Sequence, residues 1–428
     1  MNLIAIWRRR QPDEVLLVAS NLLSRGLGFC TSMLISRLVG VSALGVYSSV
    51  LITTSAATTP MTVPLANHGT LMLSNNQLSA VDVMRAQWPW WALSLFAGLT
   101  ACHSMLLASQ SQKIASESLA SMWVLVSLMV TGHLLGQWLT GVMHGLGKSR
   151  RMALLSSSIT LTGLSLTYPV IAFWGLTGAI SLATCTTLGP GVCLAWFLLR
   201  KNQPSTLHAE QTKALRSDAW MRMRQSLPNM GSSLLNTGTN WLCSIYLVQR
   251  FHGLEGLGMV ALSLQWTMLM QLAFSSWGGK IVHELSKHAS RDKLEHPEAL
   301  HKAMNEQIRR CLLVTSLSCC AVLAATPAIA WLYHVDALTM AGLLVLNALA
   351  SMFAAVNFVY ERVFFLMRSQ RVWLLFAGLA YAAQIATTCT LVPVWLTGAA
   401  AGNVIACMVT SLGVSWHLRR TLFKGVAP

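Results

Sequence analysis

About a dozen stretches of this chain are apolar for longer than a buried helix of a water-soluble domain requires. Segments 14–40, 118–140 and 338–359, at about 1.5 Å of rise per residue, each reach across a hydrocarbon core of roughly 30 Å. The rest of the composition agrees. Of the 428 residues 54% are hydrophobic and only 10% charged, with a mean hydropathy of +0.55, so there are too few charges to coat a soluble globule of this size. Lipid is therefore the expected solvent, and a backbone in lipid has to satisfy its own hydrogen bonds. The alternating pattern of a membrane barrel is absent, which leaves helices. Spans are predicted near 15–39, 43–66, 88–109, 118–142, 152–173, 176–199, 226–250, 254–279, 309–333, 338–360, 371–393 and 397–418.

Charge sets the expected orientation. Arg8, Arg9 and Arg10 precede an apolar run too long for a signal-peptide core, so the first span is read as retained with its N-terminus inside. Segments 67–87, 143–151, 200–225, 280–308 and 361–370 and the tail then fall on the cytoplasmic side. Of the 30 Lys and Arg, only Lys113 (outer loop), Arg250 (outer helix end), Arg25 and Arg37 (first span) lie elsewhere, which leaves 26 inside, as the positive-inside rule requires. The net charge of +16 is on this reading a topology signal. The basic loops lack interleaved aromatic or glycine-rich motifs, so no nucleic-acid partner is expected. All ten cysteines fall in predicted spans without a Cys-x-x-Cys pair, and read as small buried hydrophobes, not as a metal site or disulfide framework. No cofactor is expected, and no phosphate-binding glycine loop for ATP is present.

The chain repeats itself. Arg37-Leu-Val-Gly40-Val-Ser-Ala-Leu44-Gly45, after the first span, returns after the seventh as Arg250-Phe-His-Gly253-Leu-Glu-Gly-Leu257-Gly258, an offset of 213. Lys148-Ser149-Arg150-Arg151 returns as Arg368-Ser369-Gln370-Arg371, and Leu176-Thr177-Gly178-Ala179 as Leu396-Thr397-Gly398-Ala399, both at an offset of 220. The longer segment 280–308, compared with 67–87, accounts for the seven-residue change. A repeat of six spans, an even number, enters the membrane twice in the same orientation, which implies a pseudo-twofold axis along the membrane normal. The expected fold is all-α and polytopic, with about twelve transmembrane helices in two pseudo-twofold-related six-helix lobes: 1–200, a cytoplasmic linker 201–225, and 226–428.

Ser24-Arg25-Gly26-Leu27-Gly28-Phe29, followed by Ile35-Ser36-Arg37-Leu38-Val39-Gly40 and Leu44-Gly45-Val46-Tyr47, resembles the opening of polysaccharide flippases. That group comprises the Wzx-type O-antigen flippases and the lipid II flippases, in the superfamily that also holds the multidrug and toxin extruders. The resemblance implies a V-shaped pair of lobes in the bacterial inner membrane. It implies transfer of an undecaprenyl-diphosphate-linked oligosaccharide from the cytoplasmic to the periplasmic leaflet, alongside other polysaccharide-assembly membrane proteins. Lipid II flippases typically carry fourteen helices; the dozen here points to an oligosaccharide repeat unit. No enzymatic activity is implied. A polymerase or ligase acting on the same carrier needs a sizeable periplasmic loop, and the longest outer loop, near 110–117, is short. A cation-coupled drug exporter, the rival within the superfamily, is expected to use a membrane-embedded carboxylate, and no span carries one centrally.

The candidate substrate-binding residues follow. Arg25 lies near mid-bilayer, where a guanidinium costs several kcal/mol without a partner or a watery cavity, and where its planar fork suits a diphosphate. A structural arginine bonded to helix-end carbonyls is the alternative. Arg37 and Arg250, repeat mates at outer helix ends, either snorkel to the interface or form a second phosphate station. Asn236 with Asn240, and His133 with Gln137, share helix faces one turn apart, either as interhelical glue or as a cavity lining that meets sugar hydroxyls. Thr53, Thr54, Thr58, Thr59 and Thr62 around Pro60 and Pro64 suggest a kinked, polar-faced helix. Glu361 and Arg362 read as interface anchors, with proton coupling by Glu361 as the sharper alternative. His283, His288, His296 and His301 lack metal-ligand spacing and read as part of an amphipathic cytoplasmic helix.

Overall fold

The computed structural model describes residues 12–75, 79–109, 119–201, 217, 220, 227, 230–275, 281, 284–285, 297–367 and 369–421. Arg8, Arg9, Arg10, Lys113, most of the linker 201–225, His283, His288, His296 and Arg368 lie outside these residues. Among the described residues every regular element is helical. In chain order they are α1 (Pro12–Leu38), α2 (Val41–Asn75), α3 (Ala80–Ser109), α4 (Leu119–Gly145), α5 (149–174), α6 (176–201), α7 (230–252), α8 (254–275), α9 (Pro297–Ala324), α10 (Thr326–Tyr333), α11 (Ala337–Leu366), α12 (Gln370–Leu391) and α13 (Gly398–Thr421). Among the described residues eight helical segments are long and apolar enough to cross a membrane. One of them, Ser149–Arg200, is two spans joined at Gly175, whose φ of 53° and ψ of −134° turn the chain between α5 and α6.

Where the boundaries differ from expectation, single residues explain it. α2 continues to Asn75, through Pro60 and Pro64. Proline removes an N–H and leaves a carbonyl one turn back without its donor. The threonine hydroxyls bond carbonyls just before the Ala56 carbonyl that Pro60 frees: Thr58 Oγ1 donates to the Thr54 carbonyl at 2.8 Å, and Thr59 Oγ1 to that of Ser55 at 2.7 Å. The expected span 309–333 is instead α9, which begins at Pro297 and absorbs the end of the 280–308 segment, and the short α10; the break falls at Ala325, ahead of Pro327. α11 starts on an Asp336 cap, with the Thr339 N–H donating to Asp336 Oδ2 at 2.7 Å. The hydroxyl and N–H of Thr339 hold this exposed carboxyl below the usual carboxylate range.

The chain forms two compact units, residues 1–40 with 49–237, and 41–48 with 238–428. In the first, α1 and α4 pack along the α5–α6 pair and α3 packs on α4. Its core gathers Leu65, Trp91, Trp138, Leu139, Val142 and Leu198. In the second, α11 packs against α8, α9 and α13, and α12 against α13. Its core holds Leu300, Met304, Val359, Val363, Phe364, Val414 and Leu418, together with Ile281 and Leu285. Lipid gives little hydrophobic drive for helix association, so close backbone approach and interhelical hydrogen bonds carry more of it. Thr70 Oγ1, which donates to the Gly141 carbonyl at 2.9 Å, is one such bond.

The repeat survives in local geometry. Gly40 and Gly253, mates at 213, both turn the chain at positive φ, 110° and 68°. Five residues later, Gly45 and Gly258 meet inside the second unit. A Cβ on Gly45 would lie 2.1 Å from the Leu254 carbonyl oxygen, and one on Gly258 would lie 2.5 Å from that of Val41. Leu254 is the mate of Val41, so the contact is locally twofold: each glycine lies on the partner of the other's neighbour. Gly26 and Gly28 of α1 instead have no atom within 4 Å of a Cβ position. Gly45→Ala and Gly258→Ala are thus expected to lower the thermal unfolding temperature by several degrees in detergent. Gly26→Ala leaves it unchanged or raises it, since alanine in a helix interior gains up to about 1 kcal/mol over glycine. Equal destabilisation at all three positions would refute this packing.

Candidate functional site

Among the described residues α1, α7 and α8 are the long helices outside the set apolar enough to cross a membrane. In α1 the arginine is central: thirteen residues separate Arg25 from Pro12 and thirteen from Leu38, about 20 Å each way. Its helix is anchored by the opposite face, where Leu27 meets α5 at Gly163; a Cβ there would lie 3.3 Å from Leu27 Cδ2. Arg25 points away from that contact, by the roughly 100° per residue of a helix, and is half-buried. Gly26 and Gly28, beside it, have no atom of another described segment within 4 Å of a Cβ position. By the 213 offset Arg25 corresponds to Gly238 of α7, which likewise has no atom within 4 Å of a Cβ position. The charge was thus placed in one half of the repeat and not in the other.

α7 carries a π turn, Leu242–Leu247, with Cys243, Ser244 and Ile245 buried in it. One residue more per turn re-aims the side chains on either side, and such turns recur at functional positions. Asn240, just before it, accepts from Gln384 Nε2 of α12 at 3.0 Å, whereas Asn236, one turn earlier, is exposed. The two asparagines therefore have different surroundings although they share a face. After the π turn, Arg250 is exposed and donates to the Tyr246 hydroxyl at 3.2 Å, and Tyr246 stacks on Trp241 with ring centroids 6.1 Å apart. Arg37 is exposed at the end of α1. On α4, His133 is half-buried and Gln137 exposed.

The second unit also contains a seam of neutral polar pairs that the sequence reading passed over. Asn347 Nδ2 donates to Ser263 Oγ at 3.1 Å, and Gln271 Nε2 to Ser351 Oγ at 3.3 Å, both joining α8 to α11. Asn357 Nδ2 donates to the Cys407 carbonyl at 2.9 Å, and Ser411 Oγ to Asn357 Oδ1 at 2.8 Å, joining α11 to α13. Gln384 is 1% exposed and its Oε1 has no hydrogen-bond partner. Their signal in the sequence is helical spacing, with Asn347 and Ser351, and Asn240 and Ser244, four apart, inside otherwise apolar runs. Acidic groups are sparse. Asp82 is buried, but caps the start of α3 against Ser79, whose Oγ donates to Asp82 Oδ2 at 2.5 Å. Glu361 is half-buried near the end of α11, beside Arg362, whose guanidinium lies 4.7 Å from the Phe358 ring centroid. Among the described residues no three His, Cys, Asp or Glu side chains converge as metal ligands would.

No family model matches this chain, and no curated protein does. Solved structures do. An inward-facing multidrug-resistance MATE transporter of the MOP superfamily is similar over 94% of this chain and 96% of its own, with a TM-score of 0.68 and 14% identity. The fold is that of MOP-superfamily transporters. The inward closed form of the lipid II flippase MurJ is similar at TM-score 0.70 and 14% identity, over 95% of this chain and 87% of that one. A MOP-superfamily transporter from Pyrococcus furiosus, whose binding pocket is described as having reversed polarity, gives a TM-score of 0.65 at 14% identity, with 95% and 94% covered. Identity is the same 14% to all three, so likeness establishes the MOP fold and leaves substrate to this chain's own side chains.

The Asn240–Gln384 bond lends itself to a double-mutant cycle. Asn240→Leu leaves the buried Gln384 amide, and Gln384→Leu the half-buried Asn240 amide, without this partner; each is expected to cost about 0.6–2 kcal/mol of stability in detergent, and the double variant less than their sum. Additive costs would mean that the pair does not hold α7 to α12.

Proposed function

We propose that the chain is a flippase that moves an undecaprenyl-diphosphate-linked oligosaccharide repeat unit from the cytoplasmic to the periplasmic leaflet by alternating access. The observation that carries this reading is Arg25, half-buried at the midpoint of α1 beside volume left open at Gly26 and Gly28. An unneeded arginine at the centre of a span costs about 2.5–3.5 kcal/mol even by the mildest scale, so a helix retains one for a reason. The reason offered here is the diphosphate. A guanidinium presents a planar fork of donors to phosphate oxygens, remains charged at any physiological pH and sheds its hydration more readily than an ammonium. The neutral amides and hydroxyls elsewhere, Asn236 and His133 among them, suit sugar hydroxyls, while Arg37 and Arg250 suit the path's outer end. On this reading both chain termini lie in the cytoplasm and the lobes are 1–200 and 226–428, in a bacterial inner membrane.

The lipid II flippase supports a lipid-linked substrate by its fold, and the multidrug transporters support export of another kind by theirs. One feature favours the second, cation-coupled reading: the half-buried Glu361 is a carboxylate inside a span. Its place near the end of α11 rather than the middle, and its Arg362 neighbour, favour an anchor.

In a strain that lacks its own flippase, Arg25→Ala is expected to reduce surface glycan to background at normal protein levels, with Arg25→Lys retaining a fraction. Full complementation by the alanine variant would sink the assignment. Gly28→Leu, which fills the open volume without touching protein, is expected to lower export at least tenfold while unfolding at the native temperature. Glu361→Gln is expected to leave export within about twofold of native across pH 6 to 8; a pH-dependent collapse would move the reading to proton-coupled drug export.

A further inference from the structure

Each half of the chain ends in the same three-rung ladder. Val192, Trp196 and Arg200 occupy successive turns at the end of α6, and Leu412, Trp416 and Arg420 do so at the end of α13. The offset is 220, that of the repeat matches nearby. All six side chains are exposed, Trp196 by 62% and Trp416 by 55%. Between them the buried positions repeat, Leu194 and Leu198 in the first matching Val414 and Leu418 in the second. In both ladders the guanidinium lies over the indole, with Arg200 Cζ 5.2 Å and Arg420 Cζ 4.4 Å from the ring centroid. Side chains four apart stack one above another, about 6 Å per rung, so each face runs from aliphatic through indole to guanidinium toward the helix end.

Stacking matters for what the arginines have left to offer. A cation–π contact uses the face of the guanidinium, while its five N–H donors lie in the plane and remain available at the edge. Among the described residues no acceptor takes them from Arg200 or Arg420. In the first unit two more cations converge beside the ladder. Lys148 Nζ and Arg151 Cζ lie 5.9 and 5.6 Å from the ring of Phe197, the residue after Trp196. In the second unit the matching residue, His417, packs against Phe364 and Phe376 instead, at 6.1 and 5.8 Å, and exposed Arg371 stands where Arg151 stands in the first.

We propose that the two ladders are sites for the headgroup of an anionic phospholipid in the leaflet at that end of the helices. Acyl chain meets the aliphatic rung, the glycerol–ester region meets the indole, and the phosphodiester takes the arginine donors, the order in which a lipid presents these groups from depth to surface. The first unit's site is the stronger of the two, because Lys148 and Arg151 add charge there. The assignment to the cytoplasmic leaflet rests on the orientation proposed above, whereas binding itself depends on neither orientation nor transported substrate.

The full-length protein, purified in a mild detergent and loaded with equal phosphatidylglycerol and phosphatidylcholine of matched chains, allows retained lipids to be counted by native mass spectrometry. The expected result is preferential retention of up to two phosphatidylglycerol molecules. Arg200→Gln and Arg420→Gln each remove about one, with a preference loss of roughly fivefold per arginine, what about 1 kcal/mol per basic side chain at an anionic surface converts to. Trp196→Leu and Trp416→Leu do the same with the charge intact, and thermal unfolding of the lipid-free protein stays at the native temperature. Equal retention of the two lipids, or undiminished phosphatidylglycerol on the double glutamine variant, would overturn the proposal. None of these outcomes touches the flippase reading, since no transport is measured.

Discussion

Lipid offers a backbone no hydrogen-bond partner, and the rest of this protein follows from that. Every span is helical because only a helix satisfies its own N–H and C=O groups within one segment. The same rule governs the polar side chains inside the spans. Hydroxyls of α2 turn back onto carbonyls of their own helix around Pro60 and Pro64, and amides of the second unit find partners on neighbouring helices. With apolar surface everywhere outside, helices are held by close backbone approach, and the Gly45–Gly258 contact is its tightest repeat-related instance. Against this background a charged group in mid-span stands out, and Arg25 is that group.

Much of the architecture was legible because the membrane makes the pattern long and redundant. Spans of twenty apolar residues and short loops located the helices, and the glycines of the repeat marked turns that recur at positive φ, at Gly40 and Gly253. Boundaries were harder. The segment 297–308, with Glu298, Lys302 and Glu306, looks like a soluble amphipathic helix, but it continues without a break into the span as α9, because nothing before Ala325 interrupts its hydrogen bonding. The π turn of α7 has no proline or glycine within it to announce it.

The site was legible in part for the same reason. A lone arginine in an apolar run is visible in one dimension; the neighbours of a neutral amide are not. Sequence spacing put Asn236 and Asn240 on one face, but only the fold distinguishes the exposed residue from the one bonded to Gln384, 144 positions away. Gln384 itself is a single amide in an apolar run and drew no notice. Likewise the stacking of Arg200 on Trp196 and of Arg420 on Trp416 is visible only in the fold.

Solved structures at 14% identity place drug transporters and a lipid II flippase on the same fold, so fold alone does not choose between those activities. The central claim is that this path selects a diphosphate. The direct measurement is the transbilayer rate of two synthetic glycolipids in vesicles that contain the purified protein, with the same sugar and the same polyprenyl chain, one joined by diphosphate and one by a neutral ether. The account predicts that the diphosphate-linked glycan crosses at least ten times faster than its neutral twin. Equal rates for the two, or movement of neither by a protein that still exports a cationic dye, would contradict it.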